Sequence, residues 1–412
     1  MTPAAPPTSA AVAASMFIGT AAFMVLGIQP VLLGALVEAH RLTEQWLGIV
    51  ATAEVLALAF GAIVGPPLMK RGGMRGKTLA VAGLLTIANL ASFVAHTPLQ
   101  IAIVRTFAGC AEGLLLSAAI YVLTHTRHPE RVSGLFLALS TIPQVFAAYL
   151  LPVSLIPHYG ANIGFALLTA LAAAVAPAAL ALPRAPLISH ASEADDLSLA
   201  ALSQIGVVGL GAVIALFAVV IENIAIGSSW SYLEGVANQS HLSSQVLGVA
   251  VAAVLVFQVA GSLLVAWVGW KVDHRLALIG GSALLGVSAL LLTAAHSPAA
   301  FIATCCLFGM LWLGLAPFHV KLAIGLDPSR RIAMIVMPLA LVGLSVGPMI
   351  GAALVVGNDV SRVYAMSAIA AVAAAALFGL ATLVARHLAP VTPALAVEGA
   401  LGGRAGPANG PD

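Results

Sequence analysis

A chain of 412 residues that is 61% hydrophobic and only 8% charged, with a mean hydropathy of +1.07, lies far outside the composition of soluble globular domains and is an integral membrane protein. Its net charge of +2 is scattered over short loops and not pooled in a patch, which excludes nucleic acid as a partner. Cys110, Cys305 and Cys306 sit in apolar runs without ligand spacing or flanking histidines, so the sequence predicts neither a disulfide framework nor a metal site.

Met1 to Ala14 is uncharged and rich in Ala and Pro, unlike the basic n-region of a signal peptide. Residues 1–12 are expected to be a flexible N-terminus. Apolar runs of about 20 residues, the length that spans a bilayer, follow at 13–38, 46–69, 77–96, 98–123, 132–156, 160–182, 203–233, 244–269, 275–296, 298–323, 332–356 and 362–387. They are too long and too continuous for barrel strands. Short connections such as Ala95 to Thr97 and His296 to Pro298 make neighbouring spans antiparallel. With the N-terminus inside, fourteen basic residues fall in inner loops, and only Arg41 and Arg362 in outer ones. That bias places both termini in the cytoplasm and the chain in an inner or plasma membrane.

Residues 183–200, with Glu193, Asp195 and Asp196, read as a cytoplasmic linker between an N-terminal bundle at 13–182 and a C-terminal bundle at 201–388. Residues 389–412, rich in Gly, Pro and Ala, read as a disordered cytoplasmic tail. The two halves match at an offset of 200 residues: Leu42-Thr43-Glu44-Gln45-Trp46-Leu47-Gly48 recurs as Leu242-Ser243-Ser244-Gln245-Val246-Leu247-Gly248, Gly61 as Gly261, Pro98 as Pro298 and Gly109 as Gly309. The fold expected is therefore all-α, with twelve transmembrane helices in two parallel-related six-helix bundles.

Ionised groups at membrane depth are expensive and usually face a partner or a wet cavity. Arg105, Gly109, Glu112 and Gly113 form one stripe of the fourth span. Glu54 in span 2 lies at the depth of Arg105, about 10–12 Å from the same face, so the two can pair. Glu112 lies about 10 Å deeper, beyond direct reach of the guanidinium, and needs another partner or a proton. Glu222 and Asn223 lie mid-span in the seventh run, whose Gly227-Ser228-Ser229-Trp230-Ser231-Tyr232 stretch predicts a helix that bends or opens at its outer end. Glu54, Arg105, Glu112 and Glu222 are the candidates for proton coupling. Gln29, Arg105, Gln144, Asn223, Trp230, Gln258 and Trp312 are the candidates for solute binding; Gln29, Gln144, Gln258 and Trp312, each taken alone, are more often helix-packing glue. Tyr232 reads as an interfacial anchor, and His319 and Lys321 as side chains snorkelling to the surface.

These features resemble the major facilitator superfamily over about residues 13–387. Arg105-x-x-x-Gly109-x-x-x-Gly113 resembles the family's fourth-span motif, which implies a coupling or binding role for Arg105 and packing or gating roles for Gly109 and Gly113. The loop Gly65-Pro-Pro-Leu-Met69-Lys70-Arg71-Gly72-Gly73-Met74-Arg75 resembles the family's charged gating loop, with Met69 where an acid is usual; Asp273 keeps that acid beside Arg275 in the second half. Gly343-Leu-Ser345-Val-Gly347-Pro348 resembles an antiporter motif, but in span 11 and not span 5. The same residues match a hydrolase nucleophile elbow, which requires a strand-turn-helix context that an apolar span does not offer. No phosphate-binding Gly-x-x-x-x-Gly-Lys-Ser/Thr loop is present.

The expectation is a secondary transporter and not an enzyme, needing no cofactor. It moves a small organic solute by alternating access, with protons and the lipid bilayer as its other partners, and works as a monomer. Proton-coupled uptake (symport) of an organic anion, an aromatic or amphipathic carboxylate, is the preferred form. The alternative is a proton-coupled exporter of drugs or hydrophobic compounds.

Overall fold

The computed structural model describes residues 7–70, 73–126, 129–183, 209–269, 271–327 and 331–388. The tail, nearly all of the linker and Arg71 lie outside them. The helices are α1 (Ser9–Glu38), α2 (Glu44–Lys70), α3 (Met74–Val94), α4 (Pro98–Thr124), α5 (Pro129–Leu150), α6 (Ile156–Tyr159), α7 (Asn162–Ala179), α8 (Leu210–Ser231), α9 (Leu233–Gln239), α10 (Ser244–Val268), α11 (His274–Ala294), α12 (Pro298–Leu326), α13 (Arg331–Leu354) and α14 (Ser361–Leu388). A π-helical turn, Leu151–Leu155, joins α5 to α6. Among the described residues twelve helical segments are long and apolar enough to cross a membrane; eleven coincide with the expected runs to within a few residues, and the seventh is Leu210–Ser231 against 203–233, of which 203–208 lie outside the described residues. The face from which α1 starts and at which α14 ends is called the terminal face below, and the opposite one the distal face.

The repeat in the sequence is a repeat in the packing. In the first half α2 lies on α4, α3 on α7, and α1 on α4, α5 and α7; in the second α10 lies on α12, α11 on α14, and α8 on α12, α13 and α14. The shared glycines explain the closest of these crossings. A Cβ on Gly61 would run into the Cys110 carbonyl and one on Gly109 into that of Glu54; Gly261 and Gly309 stand in the same relation to Met310 and Val254. Without a hydrophobic drive between helices in lipid, such backbone contact is what holds spans together. Caps repeat as well. Thr97 accepts from the Gln100 amide at 3.2 Å and Ser297 from the Ala300 amide at 3.3 Å, with Pro98 and Pro298 at the first helical position.

The halves meet through α2 on α13 and α5 on α10, which are equivalent pairs under the repeat. Both contacts use the glycine that closes the repeated heptapeptide. Gly48 sits against the Pro348 carbonyl and Ala352, while a Cβ on Gly248 would lie 3.0 Å from the Tyr149 carbonyl and 3.1 Å from Pro152. These contacts lie at the distal end. So do the hydrogen bonds from Trp230 to Leu26, from Ser231 to Gln29, from Tyr232 to Glu44, from Asn238 to Glu38 and from Gln45 to Val355. The distal face is therefore closed.

Candidate functional site

Three polar features are built on this frame. The first lies inside the N-terminal half. Close approach at Gly109 and Gly113 sets α4 against α2, so Glu54 faces Arg105. Arg105 and Glu54 are both fully buried. Arg105 Nη2 donates to Glu54 Oε1. Its Nη1 donates to Asn89 Oδ1 of α3 at 2.7 Å, and the Phe165 ring of α7 lies 5.6 Å from the guanidinium carbon. Glu112 Oε1 is 3.6 Å from the same Nη2. The expectation that Glu112 lies out of reach is thus corrected. The rise along the helix separates the α-carbons, but the Glu112 side chain leans toward the helix N-terminus, the side of Arg105, and the arginine stem is long enough to reach back, so the charged ends meet. Two carboxyls share one guanidinium, and Oε2 of each acid has no hydrogen-bond partner. One proton on the pair balances the charge of the cluster, and an unbalanced buried charge is strongly unfavourable.

The second lies inside the C-terminal half. Ser282 Oγ of α11 donates to Glu222 Oε2, and His319 Nε2 of α12 lies 3.0 Å from Glu222 Oε1. The His319 ring stacks on Phe378 of α14 at 5.5 Å and 20°. His319 is only 5% exposed, which corrects its reading as a snorkelling residue. α12 runs on to Leu326, so His319 lies about two turns inside its end, where Phe378 of α14 covers it. The one signal in the sequence was a titratable residue inside an apolar run.

The third feature is a cavity of about 40 Å³ where the halves meet, lined by Leu26, Gln29, Val55, Gly227, Trp230, Ser231, Trp312 and Leu344. That is room for a few waters, whereas an organic solute fills several hundred Å³. Trp230 Nε1 donates to the Leu26 carbonyl at 3.0 Å, and Trp230 and Trp312 meet edge to face at 5.5 Å. Ser231 Oγ donates to Gln29 Oε1 at 3.3 Å, while Gln29 Nε2 is buried without a partner. α8 stops at Ser231 and the chain resumes as α9 after Tyr232 alone, a break at the end of span 7 where the sequence predicts a helix that bends or opens. Tyr232 at the break is fully buried, and its hydroxyl donates to the carbonyls of Glu44 at 3.1 Å and Pro348 at 3.3 Å. It clamps the two halves instead of anchoring at an interface, because its hydroxyl reaches α2 and α13 and its ring lies against Gly351.

Of the solute-binding candidates, Gln29, Trp230 and Trp312 come together at this cavity. Arg105, Gln144, Asn223 and Gln258 are buried off its wall. Gln144 Nε2 donates to Ser140 O and its side chain packs on Gly27; Asn223 Nδ2 donates to Val219 O. Gly347 packs against the Ile224 carbonyl, and Ser345 Oγ donates to Val342 O. That is helix packing and not a nucleophile elbow. At the terminal face Arg75 donates to the Leu182 carbonyl at 2.9 Å. Asp273 caps α11, accepting from the Arg275 amide at 2.8 Å, and that bond holds its carboxyl below the usual range. Lys70 ends α2, and its side chain lies outside the described residues.

The sequence profile of the Major Facilitator Superfamily matches residues 12–318. Solved structures share the fold at low identity. The nucleoside transporter NupG is 12% identical with a TM-score of 0.76, over 91% of this chain and 99% of that one. The xylose transporter XylE from E. coli, in a partially occluded inward-open conformation, is 13% identical with a TM-score of 0.64, over 89% and 97%. A bacterial homologue of the human lysosomal transporter Spinster, inward-facing and unoccupied, is 12% identical with a TM-score of 0.63, over 91% and 96%. No curated protein sequence matches the chain significantly.

Proposed function

The chain belongs to the major facilitator superfamily, and on that premise we propose that it is a proton-coupled symporter that takes up a small organic solute with an aromatic or amphipathic ring. The observation that carries this reading is the cavity between the halves. Two indoles supply faces for a ring, and the unpartnered Gln29 Nε2 supplies a donor for a solute oxygen or nitrogen. In this reading the positive-inside bias sets the terminal face in the cytoplasm. The closed distal face is then an outer gate, and alternating access reopens it.

Protons act inside the bundles. Glu54 and Glu112 exchange one around Arg105, and Glu222 with His319 forms a second station. The organic-anion form of the reading gains little from the geometry, since the Arg105 guanidinium is taken by Glu54, Asn89 and Glu112. An uncharged ring solute fits better. The symport sense is supported by α5, which carries Pro143-Gln144 where family antiporters carry a Gly-x-x-x-Gly-Pro motif.

Proteoliposomes under an inward proton gradient, offered a nucleoside, an aromatic carboxylate and a hexose, test this. Accumulation of a ring solute that collapses with an uncoupler, and is lost in Trp312→Ala, is the expected result. Ring-solute accumulation that Trp312→Ala leaves intact, or extrusion of a hydrophobic cation instead, overturns the reading.

A further inference from the structure

We propose that Glu44 and Glu234 form a proton-binding site in the distal gate, one carboxyl from each half, and that the gate closes only when the pair has taken up protons. Glu44 opens α2 and Glu234 lies in α9. They are 6% and 4% exposed, and each has an Oε2 without a hydrogen-bond partner. Both are fixed by the seam itself. The Glu234 carboxyl lies on Gly34 of α1, where a Cβ would collide with it, and a Cβ on Gly235 would lie 3.2 Å from Glu44 Oε1. Tyr232 is bonded to the Glu44 carbonyl beneath them.

The groups facing the pair are acids and phenols. They are Glu38 at the end of α1, Tyr232 at the α8–α9 break, and Tyr364 of α14, whose hydroxyl donates to the Ser229 carbonyl. The basic groups of the surrounding turns are engaged or turned outward. Arg41 donates to Asn162 Oδ1, Ser92 O and Ala95 O. His40 and His241 are exposed. Asp359, before α14, accepts from Gln239 and feels Arg362. Among the described residues no salt bridge reaches Glu44 or Glu234. Two carboxylates in a dry seam, without a cation and with oxygens unpartnered, cannot both stay ionised. Burial, and then Glu38 and Glu44, push the Glu234 carboxyl well above its usual range.

The sign follows directly. In the open gate both acids face water and ionise at ordinary carboxylate values; in the closed gate they hold protons. Closing therefore binds protons, so acid on the distal side favours closure and a rising pH favours opening. This inference rests on the halves separating at the distal face during transport, but not on which solute is carried. Under the uptake reading it makes the outer gate close on a proton drawn from the outer side.

The test is a spin-label distance between Ala39→Cys and Asn358→Cys, both exposed and in opposite halves. It uses the full chain, with Cys110, Cys305 and Cys306 replaced, in lipid nanodiscs without solute. The expected result is a short-distance population that grows as pH falls from about 8 to about 5. In the Glu44→Gln/Glu234→Gln double variant, whose amides mimic the protonated acids and keep their shape, that population should be high at every pH. The inference is overturned if the double variant keeps the wild-type pH response, if the wild-type distance ignores pH, or if sodium at constant pH closes the gate as protons do. Failure of the transport reading leaves the distance response intact and shows only in the liposome assay.

Discussion

Truncating Arg105 to alanine probes the buried cluster most directly, because the three charges make the direction and order of effects calculable. Arg105→Ala removes the cation that the two acids share and leaves Glu54 and Glu112 facing each other, buried, along with an orphaned Asn89. Breaking a buried pair by removing one partner typically destabilises by about 3–5 kcal/mol. For a bundle of this size that lowers the unfolding midpoint by on the order of 10 °C. Glu54→Gln should be milder, about 1 kcal/mol, because Glu112 remains 3.6 Å from the guanidinium and balances it one to one. The decisive variant is the double, Arg105→Ala with Glu54→Gln. Removing one of the two stranded acids should recover about half of the lost stability. Thermal unfolding of purified protein in one detergent, followed by intrinsic fluorescence, reads all three. Liposome uptake of the double should stay absent, which separates the cluster's structural part from its part in transport. The reasoning fails if Arg105→Ala melts with the wild type, if Glu54→Gln is as damaging as Arg105→Ala, or if the double is less stable than the single.

Two further outcomes follow from the same geometry. Glu112→Gln removes the surplus carboxyl and leaves the Arg105–Glu54 pair intact, so solute exchange across liposomes at equal pH should persist while accumulation driven by a proton gradient is lost; continued accumulation would show that Glu112 carries no proton. Gly261→Ala drives a methyl into the Met310 carbonyl, a backbone atom that cannot swing aside, and should destabilise by about 1–3 kcal/mol. Gly280→Ala, with nothing within 4 Å of the new methyl, should be neutral or gain up to about 1 kcal/mol from helix propensity; equal effects at the two sites would refute the packing account.

The spans and their order were legible in the sequence because lipid imposes one rule on every helix, a run of about 20 apolar residues. The repeat was legible because glycine has no substitute where backbones touch, so Gly61 and Gly261, and Gly109 and Gly309, survive in matched places. Arg105 and Glu54 were legible as a pair since equal depth on adjacent spans suffices. What stayed hidden depends on side-chain reach and on what the neighbouring helices cover, which spacing does not encode. Glu112 meets Arg105 through the length of two side chains, and His319 meets Glu222 although one lies near the end of its helix and the other near the middle. Tyr232 looked like an anchor because an aromatic at the end of a span usually is one. Only its packing between α2 and α13 shows that it binds Glu44 of the other half.

The gate acids were missed for a related reason. Glu44 and Glu234 sit at helix ends, where a carboxyl is ordinarily solvated, and the repeat offers no acid at their equivalents, Ser244 and Gly34. Gly34 is also the residue on which Glu234 rests, so the asymmetry between the halves is what makes room for a buried acid at their junction. One helix connects this gate to everything else. α2 begins at Glu44 in the seam, crosses α13 at Gly48, presents Glu54 to Arg105 and the next residue, Val55, to the cavity, and packs on α4 at Gly61. Consecutive residues point about 100° apart on a helix. Any tilt of α2 that opens the distal gate therefore moves the cavity wall and the carboxyl held by Arg105 together. Neither acid cluster lines the cavity, so under the proposed reading coupling between proton and solute must pass through such rigid shifts of α2, and of α8 with its Glu222 and Trp230, and not through contact between the two ligands.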